Sequence, residues 1–210
     1  KYETAITKRN FEEFLDWGIV FYLNYSTGST LALKRDFEEV KMPTIPASYH
    51  AGNIQDSNYI FLPISSYSAQ NIGLAEYVVN NHPGKGTPKV AMYVHPSAFG
   101  REPVKDVEKA VEAGLDMEIV EVVEHGKDLD HTGTLMRWRS KGVQYVITQT
   151  VQSPVASLLN GASNMGLIAE SFGQEGKMTF LGAHYTGGND LVTLAGDAAE
   201  KFYWTTSYIT

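Results

Sequence analysis

The stretch Lys89–Val123, KVAMYVHPSAFGREPVKDVEKAVEAGLDMEIVEVV, decides the fold. It opens on the apolar run Val90 to Val94, which predicts a strand; Phe99 to Ala113 then repeats its apolar residues at helical spacing, and Glu118 to Val123 reads as a strand again. Downstream the alternation continues as helix Thr132–Lys141, strand Gln144–Thr148, helix Val155–Met165 and strand Met178–Leu181. A loop over 182–189, a short helical piece and a last strand over Phe202–Thr206 complete the run. Repeated βα units of this kind imply parallel sheets with helices on both faces.

Upstream, Ile6, Phe11, Phe14 and Leu15 share helical spacing, Trp17-Gly18 stops that helix, and Ile19 to Leu23 follows as a strand. A second helix is predicted over Thr30–Val40, with Leu31, Leu33, Phe37 and Val40 on one face. Pro43 and Pro46 bracket a short strand over Thr44–Ala47, and Tyr59 to Ile64 reads as another extended piece. Ser66 or Ser68 can cap the helix that holds Ile72, Leu74, Ala75 and Val78. The turn-rich Asn80–Gly86 ends it, and a lobe boundary is placed there, with 1–84 in the first lobe and 85–200 in the second.

A chain of 210 residues that is 43% hydrophobic and 20% charged has the profile of an ordinary globular protein. The net charge of -7 and the lack of any basic run argue against nucleic acid as a partner. No stretch reaches the roughly 20 apolar residues that cross a bilayer. Having no cysteine excludes disulfides, thiolate zinc sites and cysteine nucleophiles, and suits an oxidising space without fixing the compartment. The first residues lack a signal-peptide pattern, so an export signal is expected in a precursor.

In open parallel sheets small molecules bind outside the carboxyl ends of the strands, where backbone amides and helix N-termini converge. The segments there are Tyr25-Ser26-Thr27, Ser48-Tyr49-His50, His95 to Phe99, Gln149 to Ser153, and Ala183-His184-Tyr185. Hydroxyls, amides and imidazoles alternate with rings, a mixture that orients a small ligand without reacting with it. Enzymatic signatures are missing: neither G-x-G-x-x-G, nor G-x-x-x-x-G-K-[ST], nor G-x-S-x-G occurs. His125, Asp128, Asp130 and His131 do not place two ligands on one helical face, and Asp130 before Thr132 reads as a helix cap. Neither a metal nor a cofactor is expected, and no catalytic residue is assigned.

Three groups of residues resemble a known family, the periplasmic substrate-binding proteins of ABC transporters of the branched-chain amino acid type. The loop Tyr25-Ser26-Thr27, the segment Met42 to Ser48 and Tyr59-Ile60-Phe61 are similar to its first lobe. Lys89-Val90-Ala91 with Ala98-Phe99-Gly100-Arg101 resembles the opening of its second lobe, with Phe99 where tyrosine is usual. Leu181-Gly182-Ala183 and Leu194 to Glu200 resemble its most distinctive segment. The resemblance implies an α/β, type I periplasmic-binding-protein-like fold: two doubly wound parallel-sheet lobes, each incomplete in this chain, with 201–210 starting the crossover back toward the first lobe. It implies capture of a small molecule between the lobes by hinge closure, membrane permease subunits of an ABC importer as partners, and a monomer. It also implies a periplasmic location, or an extracellular lipid-anchored one in a Gram-positive organism.

Carried over residue by residue, the resemblance puts ligand contacts at Ser26, Thr27, Ser48 and Tyr49 in the first lobe, and at Phe99, Gln152 and His184 in the second. Amino acid binders of the family place an acidic residue near position 184, where this chain has His184 followed by Tyr185. A buried ammonium without a counter-charge costs several kcal/mol. The hydroxyls, His50 and His184, and the rings of Tyr25, Tyr49, Tyr67 and Phe99 therefore point to a carboxylate with an apolar or aromatic body. A branched-chain or other amino acid, a ligand-sensing domain of a signalling receptor, and an α/β enzyme using His184 or His50 as general base are the alternatives.

Overall fold

The computed structural model describes residues 3–127 and 130–207. They divide into two compact units, one through Tyr67 and one from Ser68. Among the described residues no helix is long and apolar enough to cross a membrane.

The first unit contains α1 (Thr4–Asp16), β1 (Tyr22–Asn24), α2 (Thr27–Val40) and β2 (Thr44–Pro46). β1 and β2 pair in parallel with Tyr22 opposite Thr44, and Thr44 also bridges Ile60. Strand alternation sends Tyr22 inward and leaves Leu23 exposed. The core is aromatic: Phe11 of α1 lies 5.0 Å from the ring of Tyr22 and meets Phe37 of α2 edge-on at 5.1 Å. Such pairs add about 0.5–1.5 kcal/mol beyond their area burial. Leu33, Met42 and Ile60 fill the remaining space.

Three elements differ from the periodic reading. The strand expected over 19–23 is confined to Tyr22–Asn24, and Val20 and Phe21 before it are exposed. The helix expected from Thr30 begins at Thr27, because Ser26 caps it and the polar side chains of Thr27, Ser29 and Thr30 are buried. The expected strand over 59–64 reduces to the single bridge at Ile60, and Phe61 is exposed. There the Glu38 carboxylate accepts from the N–H groups of Asn58 and Tyr59 and from the Ser57 hydroxyl. Those bonds hold its carboxyl below the usual carboxylate range, the Ser57 hydroxyl contributing most.

The second unit is doubly wound. Its helices are α3 (Tyr67–Asn81, beginning at the unit boundary), α4 (Ala98–Glu112), α5 (Thr132–Lys141), α6 (Gln152–Asn164) and α7 (Asn189–Ala195). Its strands are β3 (Lys89–Val94), β4 (Glu118–Glu124), β5 (Tyr145–Gln149), β6 (Thr179–Gly182) and β7 (Tyr203–Trp204). The order is β4-β3-β5-β6-β7, and every pair is parallel. β3 and β5 are buried apolar runs at the centre, as strands covered on both faces should be. Ala91, Tyr93 and Val146 pack with Leu135, Trp138, Val155 and Leu158 on one face. Val90, Met92, Tyr145 and Ile147 pack with Leu74, Ala75, Val78 and Val107 on the other. β4 is the edge strand and carries charge: Glu121 pairs with Arg137 and Lys141, and Glu124 with Arg101.

The sequence boundary at 84 and the division after Tyr67 differ by one helix. The turn at 80–86 is the strongest break in the sequence, but a helix belongs where its apolar face is buried. Leu74, Ala75 and Val78 of α3 lie in the core of the second unit. The last strand is shorter than expected, and Tyr208, near which the crossover was placed, lies outside the described residues.

Candidate functional site

Parallel pairing opens the carboxyl ends of β1 and β2 on one edge of the first unit. Ser26 stands there at φ 91°, a conformation costly for a residue with a side chain. Its Oγ accepts from the Ser29 N–H at 3.3 Å, and the two hydroxyls lie 2.9 Å apart. Thr30 Oγ1 donates to the Ser26 carbonyl and accepts from Asn24 Nδ2, both at 2.8 Å. The buried hydroxyls of Thr27 and Ser48 meet at 2.7 Å, so the loops after β1 and β2 are joined directly. Asn53 Nδ2 holds the Ser48 carbonyl at 2.8 Å. The result is a helix N-terminus, the positive end of its dipole, ringed by hydroxyls.

Tyr49 and Tyr67 complete this edge, their rings 6.0 Å apart and the Tyr67 N–H donating to the Tyr49 carbonyl at 2.9 Å. Nδ1 of His50 accepts from the Gly52 N–H at 3.0 Å, so it carries no proton and the ring turns the chain locally. That bond weakens the case for His50 as a general base at Nδ1. Tyr25 is exposed.

In the second unit His95, His125 and His184 follow the carboxyl ends of β3, β4 and β6, with the rings of Phe99 and Tyr185 beside them. His95 Nδ1 lies 2.8 Å from the Ser97 hydroxyl, and its ring meets His125 edge-on at 5.1 Å. Burial first, and the neighbouring His125 second, push His95 down. His125 Nε2 reaches Thr150 Oγ1 at 2.9 Å. Phe99, in the first turn of α4, lies 5.8 Å from the ring of Tyr185, which lies tilted against His184 at 4.6 Å. Gln152 opens α6 and is half-buried.

His184 donates its backbone N–H to Gln70 Oε1 at 3.1 Å, and its Nδ1 meets the same oxygen at 2.8 Å. Burial pushes His184 down to about 4, so the ring is neutral at neutral pH. A neutral imidazole offers a solute hydrogen bonds and no positive charge. The cap expected at Asp130 is present, its Oδ1 accepting from the Thr132 N–H at 2.9 Å. His131 points to the Tyr93 hydroxyl, and Asp128 lies outside the described residues. Among the described residues no group of three or more histidines and carboxylates could hold a metal.

The periplasmic binding protein family matches residues 1–210. The chain belongs to that family. This periplasmic binding protein is 47% identical to a branched-chain amino acid ABC transporter protein of Thermus thermophilus with bound valine, with a TM-score of 0.90. The match covers 99% of this chain and 52% of that one, so the chain spans about half its relative's length. A substrate-binding ABC transporter protein of Aeropyrum pernix superposes with a TM-score of 0.83 at 21% identity, covering 99% of this chain and 52% of its own. A solute-binding protein of Rhodopseudomonas palustris BisB5 in complex with 3,4-dihydroxybenzoic acid gives 0.73 at 20% identity, over 94% and 52% of the two chains. These last two show the shared fold. No curated protein matches.

The binding protein also uses residues that the loop survey passed over. Asn71 Nδ2 donates to Gln149 Oε1 at 2.9 Å, and Gln149 Nε2 donates to the Phe99 carbonyl at 3.3 Å. That carbonyl is available because Pro103, four residues on inside α4, has no N–H to offer it. Buried amides on α3 thus fix the loops after β5 and β6. A signal for them existed: Asn71 stands one turn before Leu74, Ala75 and Val78 on the same apolar stripe, and a polar residue on such a stripe needs a buried partner.

Proposed function

We propose that this chain is part of a solute-binding receptor of an ABC importer, periplasmic or extracellular, which captures a small molecule by hinge closure and hands it to membrane permease subunits. It carries out no chemistry on the molecule. The solute in this reading is a carboxylate with an apolar or aromatic body. The observation that carries it is the α2 N-terminus, the positive end of a helix dipole, where Ser26, Thr27 and the Thr27–Ser48 hydroxyl pair form a setting suited to an anion. Tyr49 and Tyr67, in the same unit, offer ring faces for the body.

An amino acid is the second reading, favoured by the valine-bound relative at 47% identity. Calorimetric melting of the full-length receptor with L-valine, L-leucine and a panel of aromatic and aliphatic carboxylates separates the two. A solute at 100 times its dissociation constant raises stability by about 2.7 kcal/mol. A response to carboxylates lacking an amino group supports the first reading. A response to valine or leucine alone overturns it in favour of the second, and no response to any solute overturns the receptor reading.

A further inference from the structure

The Oε1 atom of Gln70 accepts three hydrogen bonds: from the His184 backbone N–H at 3.1 Å, from His184 Nδ1 at 2.8 Å and from Thr205 Oγ1 at 2.8 Å. The first decides the chemistry of the second. A backbone N–H can only donate, so the atom facing it is the amide oxygen and the side-chain amide has one orientation. An amide oxygen can only accept, so His184 Nδ1 carries a proton. A neutral imidazole protonated at Nδ1 has its lone pair at Nε2. Burial opposes a second proton on the ring.

We infer that Gln70 is a positioning residue for solute specificity: it locks His184 in the Nδ1–H tautomer, so that Nε2 meets other groups only as a hydrogen-bond acceptor. The inference rests on the solute-binding reading above and sharpens it. A solute group that docks on Nε2 must donate, as an ammonium, hydroxyl or amide N–H does, whereas a carboxylate oxygen there faces a lone pair. Solutes are then selected at this ring by donor geometry and not by histidine charge. Thr205, on the segment after β7, shares the same oxygen and braces the amide from a second side.

The test is the nitrogen spectrum of the full-length receptor labelled at histidine, with His184 assigned by its loss in His184→Gln. At pH 7 the wild-type ring should show a protonated Nδ1 and an unprotonated Nε2; the opposite tautomer or a mixture of the two overturns the inference. Gln70→Glu keeps the oxygen and adds a charge, so His184 should keep its Nδ1 proton while its proton affinity rises at least about tenfold. An unchanged titration overturns the role given to Gln70. Gln70→Leu removes the acceptor and should mix the tautomers; a retained pure Nδ1–H form in that variant also overturns it. If Gln70→Leu does not fold, the wild-type and Gln70→Glu spectra decide alone. A solute screen that finds no binder sinks the receptor reading without touching these spectra, so the two failures are distinguishable.

Discussion

Replacing Gly100 with alanine sets two effects of opposite sign against each other at the entrance to α4. Helix propensity favours alanine over glycine by about 1 kcal/mol. A Cβ at position 100, however, would fall onto the backbone nitrogen, carbon and oxygen of His95. His95 cannot withdraw easily: its N–H donates to the Gln149 carbonyl at 3.0 Å and its carbonyl accepts from the Ser97 N–H at 2.8 Å. Gly100 is tied to the same turn, its N–H donating to the Ser97 carbonyl at 3.0 Å. The start of α4 must therefore shift as a piece. Overpacking costs roughly 1–3 kcal/mol, and a clash with pinned backbone belongs at the upper end. Subtracting the propensity gain leaves a net loss of about 2 kcal/mol, which lowers the melting temperature by about 2–4 °C in a protein roughly twice the length of this chain. Scanning calorimetry of the full-length receptor measures it. A variant as stable as the parent, or more stable, refutes the close approach of α4 to the turn after β3.

Thr27→Val removes one partner of the buried 2.7 Å hydroxyl pair and leaves Ser48 short of it, so stability should fall by about 1–3 kcal/mol in urea titration. An unchanged midpoint would show that the pair contributes nothing. Because the folded His184 is held at about 4, below the ordinary value of 6.5, the unfolded chain takes up its proton first as pH falls. Stability is thus unaffected above about pH 6.5 and declines from there to about pH 4, by roughly 1–2 kcal/mol after allowing for solvent at the ring. His184→Gln should flatten that part of the pH–stability curve, and an identical slope in the variant excludes His184 as its source. Glu38→Ala releases the N–H groups of Asn58 and Tyr59, so limited proteolysis should cut near residues 54–59 faster than in the parent.

The second unit was legible because its pattern is redundant. β3 and β5 are unbroken apolar runs, each followed by a helix with one apolar stripe, and few other arrangements bury both faces of such strands. The first unit was harder to read at the same resolution. Thr27, Ser29 and Thr30 look like a loop by composition, yet they form a helix start because each hydroxyl has a buried partner, Ser48 for Thr27 and Asn24 for the other two. Tyr59–Ile64 looks like a strand by composition, yet a carboxylate on α2 takes the N–H groups that a second strand would have used. In both cases specific side-chain hydrogen bonds, some from residues about 20 positions away, decided a local structure, and periodicity cannot register them.

The same distinction governs the candidate site. Residues that follow strands could be picked from position alone, since the carboxyl ends of parallel strands share one edge. What those residues can do could not. His50 and His184 look equivalent in the sequence, but one accepts a backbone N–H at Nδ1 and the other donates from Nδ1 to Gln70. They therefore have opposite tautomers, a donor at Nε2 on one ring and an acceptor at Nε2 on the other. The difference is imposed by Gly52 and Gln70, neither of which follows a strand. The proton positions on both rings are thus set one layer behind the loops, by groups that position along the chain does not single out.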